Sequence, residues 1–236
     1  MNSDGMNRDF TTYYDQSNRE AAVKKTMLGV YSWMTVALLI TAATGLYVAS
    51  NVNMLYSVIR SYWLFAIAEV VVVIALSARA HKMSSLAAKG WFVVYSVLNG
   101  ITLSSIFVLY EIGTIGYAFL VTAGVFAVMT IYGYVTKTDL SKIGSLFVMA
   151  LFGLVIATFV GFFINTPGYT MALMYVTVFI FIGLIGWDTQ KIKQYAYAQA
   201  DSNGALANAS ILGALTLYLD FINIFISLVR IFGSRD

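Results

Sequence analysis

Cysteine is absent from the 236 residues, histidine occurs once, at His81, and proline once, at Pro167. Without thiols there is no disulfide framework, no thiolate metal site and no cysteine nucleophile, and a single imidazole makes no histidine-ligated metal cluster. Any chemistry falls to carboxylates, hydroxyls or lysines. Charge is scarce as well. The 14 Lys+Arg and 11 Asp+Glu make up 11% of the chain, against roughly a quarter in a soluble domain. With 60% hydrophobic residues and a mean hydropathy of +0.80, too few charges remain to cover the outside of a soluble fold. The formal charge of +3 is too small and too dispersed to point to nucleic acid. The apolar surface calls for a bilayer.

Charge-free stretches long enough to cross a hydrocarbon core of about 30 Å predict seven helices. They cover residues 26–50, 62–78, 91–110, 113–135, 143–164, 169–187 and 210–232. The 45-residue run without charge from Ile143 to Trp187 must be two spans, because Asn165-Thr166-Pro167-Gly168 is a turn sequence holding the lone proline. Barrel strands are a poor alternative, because the segments are about twice too long and lack alternation. The expected architecture is an all-α integral membrane protein with a polar tail (residues 1–25) and one seven-helix domain (residues 26–236).

The tail has no apolar core of a signal peptide and is expected to stay in the cytoplasm. Arg8, Arg19, Lys24, Lys25, Arg79, Lys82, Lys89, Lys137, Lys142, Lys191 and Lys193 then fall inside, and only Arg60, Arg230 and Arg235 outside. Eleven basic residues against three follow the positive-inside rule for an inside N-terminus and an outside C-terminus. Small residues at packing spacing, Ser96, Gly100 and Ser104 in the third span and Gly153, Ala157 and Gly161 in the fifth, predict close helix contacts.

Three carboxylates lie where charge is costly: Glu69 in mid-span two, Asp220 in mid-span seven, and Asp188 near the end of span six. An aspartate at a helix centre costs about 2.5–3.5 kcal/mol on insertion scales and usually faces the bundle interior or a water-filled cavity. In span seven, Gly213, Thr216, Asp220, Asn223, Ser227 and Arg230 recur at spacings of three and four, which puts them on one stripe of an otherwise apolar helix. A helix of that kind is expected at the centre of the bundle, its hydroxyls and amides serving either as interhelical glue or as part of a polar pathway. Depth alone suggests two ion pairs, Arg79 with Asp188 and Glu69 with Arg230, although Arg79 also has the option of snorkelling to the interface. If spans six and seven pack side by side, Asp188 and Asp220 approach one another. Two carboxylates in low dielectric do not both ionise cheaply, so such a pair shares a proton and responds to pH as a unit.

Catalytic alternatives find little support. The surroundings of Asp220, Leu217-Tyr218-Leu219-Asp220-Phe221, lack the Gly-x-Gly-Asp context of intramembrane aspartyl proteases, zinc proteolysis lacks ligands, and no Gly-rich phosphate loop with its lysine is present. No enzymatic activity and no cofactor are expected.

Three segments carry a family resemblance: Asn99-Gly100-Ile101-Thr102-Leu103-Ser104-Ser105, Gly186-Trp187-Asp188-Thr189-Gln190, and Leu215-Thr216-Leu217-Tyr218-Leu219-Asp220-Phe221-Ile222-Asn223. With these the chain resembles a bacterial member of the Bax inhibitor (transmembrane Bax inhibitor motif) family, over essentially everything after the tail. Relatives usually have tyrosine where this chain has Trp187, a departure expected to affect packing more than chemistry. The resemblance implies seven helices with the last at the centre and a carboxylate dyad of Asp188 and Asp220. It further implies an arginine latch from Arg79 and a second interhelical pair of Glu69 with Arg230. It also implies a pH-sensitive passive leak for calcium in the bacterial cytoplasmic (inner) membrane, with Asp188 and Asp220 as the expected calcium ligands. Calcium prefers carboxylate and carbonyl oxygens. Deprotonating the pair would create a cation site and also tighten the latch, two opposed effects. The alternative is a non-conducting regulator that binds a membrane protease or another membrane complex through the tail or through the loop at residues 194–208.

Overall fold

The computed structural model describes residues 3–79, 83–161, 163–164 and 166–233. His81, Lys82, Asn165 and Arg235 lie outside the described residues, as does the side chain of Arg8. The described chain is helical throughout and contains no strand: α1 (Ser3–Ser50), α2 (Val52–Arg60), α3 (Tyr62–Arg79), α4 (Ser85–Leu103), α5 (Ile106–Leu109), α6 (Ile112–Val135), α7 (Ser141–Gly161), α8 (Pro167–Ala198) and α9 (Asn203–Gly233). Among the described residues seven helical stretches are long and apolar enough to cross a membrane, in register with the seven predicted. The third of them, Ser85–Leu109, runs through α4 and α5. It is interrupted at Ser104 and Ser105, whose hydroxyls bond back to the carbonyls of Ile101 and Thr102 at 2.6 and 3.2 Å and so compete with the helical ladder. Pro167 opens α8, where its missing N–H costs nothing, and the Thr166 hydroxyl caps the first turn by accepting from the Tyr169 amide.

α9 is the central helix. It packs against α1, α4, α6 and α8, while α3 leans on α4 and α7 on α8. In the most apolar window of α9, 67% of residues are buried, against 6% for α3 and for α7. Lipid tails are as apolar as leucine, so helices associate here through van der Waals packing and hydrogen bonds rather than by escape from water. Phe221 of α9 meets Phe119 and Phe126 of α6 edge-on at 5.6 and 5.8 Å, each such pair contributing about 0.5–1.5 kcal/mol beyond area burial.

The small residues divide. Gly100 lies under the Thr41 carbonyl of α1, and Ser96 and Ser104 are fully buried, as the spacing predicts. Gly153 has open space around it, so only one end of the α7 series makes a helix contact: Gly161 lies against Tyr169, whose hydroxyl donates to the Ala157 carbonyl at 2.6 Å. A spacing of four marks a stripe, and here its first member, Gly153, lies outside the contact.

The expected tail is continuous with the first span. α1 has 48 residues, about 72 Å at 1.5 Å per residue, more than twice the hydrocarbon thickness. The stretch from Arg19 to Met27 is held by tertiary contacts. Val23 and Met27 join Ala196 and Leu206 in a small second core. Arg19 pairs with Asp15 at 3.1 Å and Asp201 at 3.7 Å, and donates to the Tyr197 carbonyl at 3.2 Å.

Candidate functional site

The Gly186–Gln190 motif sits where α8 meets α6, α7 and α9, and each of its residues has a distinct task. Gly186 lets α6 approach until its Gly133 touches the Gly186 carbonyl, and a Cβ at Gly133 would overlap that oxygen. The Trp187 ring covers Gly144 of α7 and carries the Lys191 ammonium 4.8 Å from its centroid. Thr189 is fully buried. Gln190 clamps the α6–α7 connection: its amide donates to the Thr138 carbonyl and accepts from the Leu140 N–H, both at 2.8 Å. The motif thus ties α6 and α7 to α8 around one carboxylate.

That carboxylate, Asp188, borders a cavity of about 410 Å³ at the end of the bundle carrying the α8–α9 turn. Ser77 of α3, Lys191 and Tyr195 of α8, and Thr216 and Leu219 of α9 share its wall. Asp220, one turn beyond Thr216, is 4% exposed, and its Oδ2 is buried without a hydrogen-bond partner. The two aspartates stand within electrostatic reach of each other, as side-by-side packing of spans six and seven predicts. Asp188 lines the cavity, and Asp220 is buried outside its wall.

The expected arginine pairs are not closed. Among the described residues the ion pairs within 4.0 Å are those of Arg19 with Asp15 and Asp201. Arg79 is exposed beside Trp91 and Met83, and the cation that acts on Asp188 is Lys191, one turn along the same helix. Arg230 is exposed as well. Glu69 faces α4, the helix on which α3 packs, with Asn99 and Thr102 as its polar neighbours and its Oε1 buried without a hydrogen bond. Depth matched these residues along the membrane normal but carried no information on which side of each helix they occupy.

The polar stripe of α9 is also only partly interhelical. Thr216 lines the cavity. Asn223 donates to the Leu219 carbonyl of its own helix at 2.8 Å, and Ser227 to that of Asn223 at 2.7 Å. Cross-helix bonds come instead from Ser210, whose hydroxyl donates to the Thr26 carbonyl of α1 at 3.4 Å, and from Tyr218, which the sequence reading passed over. Its hydroxyl is 2.6 Å from Thr41 Oγ1 of α1 and donates to Asn99 Oδ1 of α4 at 3.0 Å, and Thr41 donates to the Ser96 carbonyl at 3.0 Å. The signal was Asn99, an amide in mid-span that requires a partner.

The family profile described as inhibitor of apoptosis-promoting Bax1 matches residues 23–236. The chain belongs to the Bax inhibitor family. Its relatives include the inner membrane protein YbhL of Escherichia coli strain K12, 43% identical over 220 residues that span 91% of this chain and 94% of that protein. Uncharacterized proteins of Deinococcus radiodurans (37% identical, 91% of this chain and 92% of the relative) and Borreliella burgdorferi (36%, 93% and 97%) are similar over comparable lengths. The match covers both aspartates, and with seven helical stretches long and apolar enough to cross a bilayer the chain is an integral membrane protein.

Proposed function

We propose that this Bax inhibitor family protein is a passive, pH-sensitive cation leak of the cytoplasmic membrane, with calcium the favoured ion and Asp188 and Asp220 as both ion site and pH sensor. The reading rests on the cavity of about 410 Å³ bordered by Asp188 at one end of the bundle, with Asp220 buried within electrostatic reach of it. Two carboxylates offer too few oxygens for a tight calcium site, which takes six to eight, and they suit an ion in transit. A change of charge on the pair biases how α8 packs on the central helix, and that packing is the bistable element. Ser77 shares the cavity wall, whereas Arg79, two residues on along α3, lies on another face of that helix beside Met83 and Trp91. Its closing on Asp188 in the shut state therefore requires α3 to turn or shift against α8. Calcium flux into proteoliposomes tests the reading, with wild type, Asp188→Asn and Asp220→Asn compared from acidic to alkaline pH. Altered flux or an altered pH profile is expected in both variants; unchanged flux and profile in both would rule out the dyad.

A non-conducting regulator is the second reading, and one observation favours it. Arg19 ties the α1 extension to Asp201 and Tyr197, so the two segments expected to contact a partner form a single surface. Deleting the first 20 residues separates the readings: a leak survives in liposomes, whereas partner binding is lost.

A further inference from the structure

A second cavity, of about 460 Å³, lies at the same end of the bundle but on the opposite flank of α9, between α1, α4 and α9. Lys25 and Lys89 border it, with Thr26, Ser85 and Ser210 supplying hydroxyls and Trp33 an aromatic wall. The Lys89 ammonium stands 5.3 Å from the Trp33 ring centroid. No described carboxylate lines the cavity or pairs with either lysine. Ser85 is the first residue of α4 and Leu206 lies in the first turn of α9, so two positive helix ends add to the two ammonium charges. All of this lies where α1 passes from its charged extension into its apolar span, the level at which a spanning helix is expected to meet lipid headgroups. We propose that this cavity binds the phosphodiester headgroup of an anionic phospholipid, with the lysines and Ser85 on the phosphate and the glycerol and first acyl carbons along Trp33 and Ile211. Juxtamembrane basic pockets recognise anionic lipids by this combination of charge and depth. The apolar wall favours a lipid over a soluble phosphate, which would leave it unfilled.

Native mass spectrometry of the full chain in detergent tests the assignment, with dioleoyl phosphatidylglycerol, dioleoyl phosphatidylcholine and glycerol 1-phosphate as probes. Phosphatidylglycerol should bind more tightly than phosphatidylcholine. Lys25→Gln/Lys89→Gln should weaken it about tenfold, to the level of phosphatidylcholine. Lys142→Gln, an exposed lysine on the α7 side, should leave it unchanged. Ser85→Asp suits the first turn of a helix while placing negative charge in the cavity, so it should fold normally and lose the same preference. Undiminished phosphatidylglycerol binding in the double variant or in Ser85→Asp overturns the site. Displacement of the lipid by glycerol 1-phosphate at comparable concentration overturns the lipid in favour of a soluble phosphate.

Discussion

Gly133 of α6 rests directly on the carbonyl of Gly186 in α8, immediately before the tryptophan and aspartate of the family motif. A Cβ at Gly133 has only backbone to push against, so Gly133→Ala must separate the two helices. Overpacking of this kind costs about 1–3 kcal/mol. At Gly153, which has open space around it, alanine should be neutral or slightly stabilising through its helix propensity, by up to about 1 kcal/mol. Thermal unfolding of both variants in one detergent checks the contrast, and equal melting temperatures would contradict the close crossing.

Tyr218 is fully buried, its ring edge-on to Phe92 at 5.8 Å and Tyr95 at 5.9 Å and its hydroxyl shared between Thr41 and Asn99. Phenylalanine keeps the ring packing and removes the hydroxyl, leaving Asn99 Oδ1 without this donor. Tyr218→Phe should therefore destabilise the bundle by about 1–3 kcal/mol. A double-mutant cycle with Thr41→Val should show coupling, since both hydroxyls serve one network; simple additivity would place the energy elsewhere.

What was readable in the sequence follows from where the physics is local. The seven spans follow from charge-free length, and the centrality of α9 from its polar stripe, because both are properties of one segment against the bilayer. The Asp188 and Asp220 neighbourhood was legible for the same reason: a mid-span carboxylate needs an interior. The partners of Glu69, Arg79 and Arg230 were not, since depth orders residues along one axis and contact depends on rotation about each helix. Residues 15–25 looked like a tail because their helix is held by Ala196, Leu206 and Asp201, nearly the whole chain away.

Gln190 holds the α6–α7 connection by two backbone bonds. Gln190→Glu keeps the acceptor for the Leu140 N–H and replaces the donor to the Thr138 carbonyl with an oxygen. The connection should loosen, with amide hydrogen exchange accelerated over residues 137–142 and unaffected in α9. Unchanged protection at Leu140 would mean that other contacts fix this turn.

Asp139, outside the spans, accepts from the Ser141 amide at 2.9 Å in the turn that leads into α7, and the Ser141 hydroxyl and amide hold its carboxyl below the usual carboxylate range. A depressed folded value means that the carboxylate stabilises the fold above the unfolded value of about 4 and that this stabilisation disappears as pH falls through the folded value. Asp139→Ala should therefore melt below wild type at neutral pH, with the gap closing in acid. Asp139→Asn, which keeps an acceptor oxygen, should lie between them. A gap independent of pH would assign the effect to helix propensity instead.

The absence of native cysteine allows single thiols to report on the dyad directly. Thr216 shares a cavity wall with Asp188, whereas Asp220 is sealed from it. A hydrophilic thiol reagent should therefore modify Thr216→Cys at least about tenfold faster than Asp220→Cys, reactivity following access. Thr216→Cys retains both aspartates, so calcium held between them should slow its labelling, and choline at matched ionic strength should not. Slowing by calcium that vanishes when Asp188→Asn is added would tie the ion to that carboxylate. Labelling indifferent to calcium at neutral and alkaline pH would remove the cavity from the ion's route.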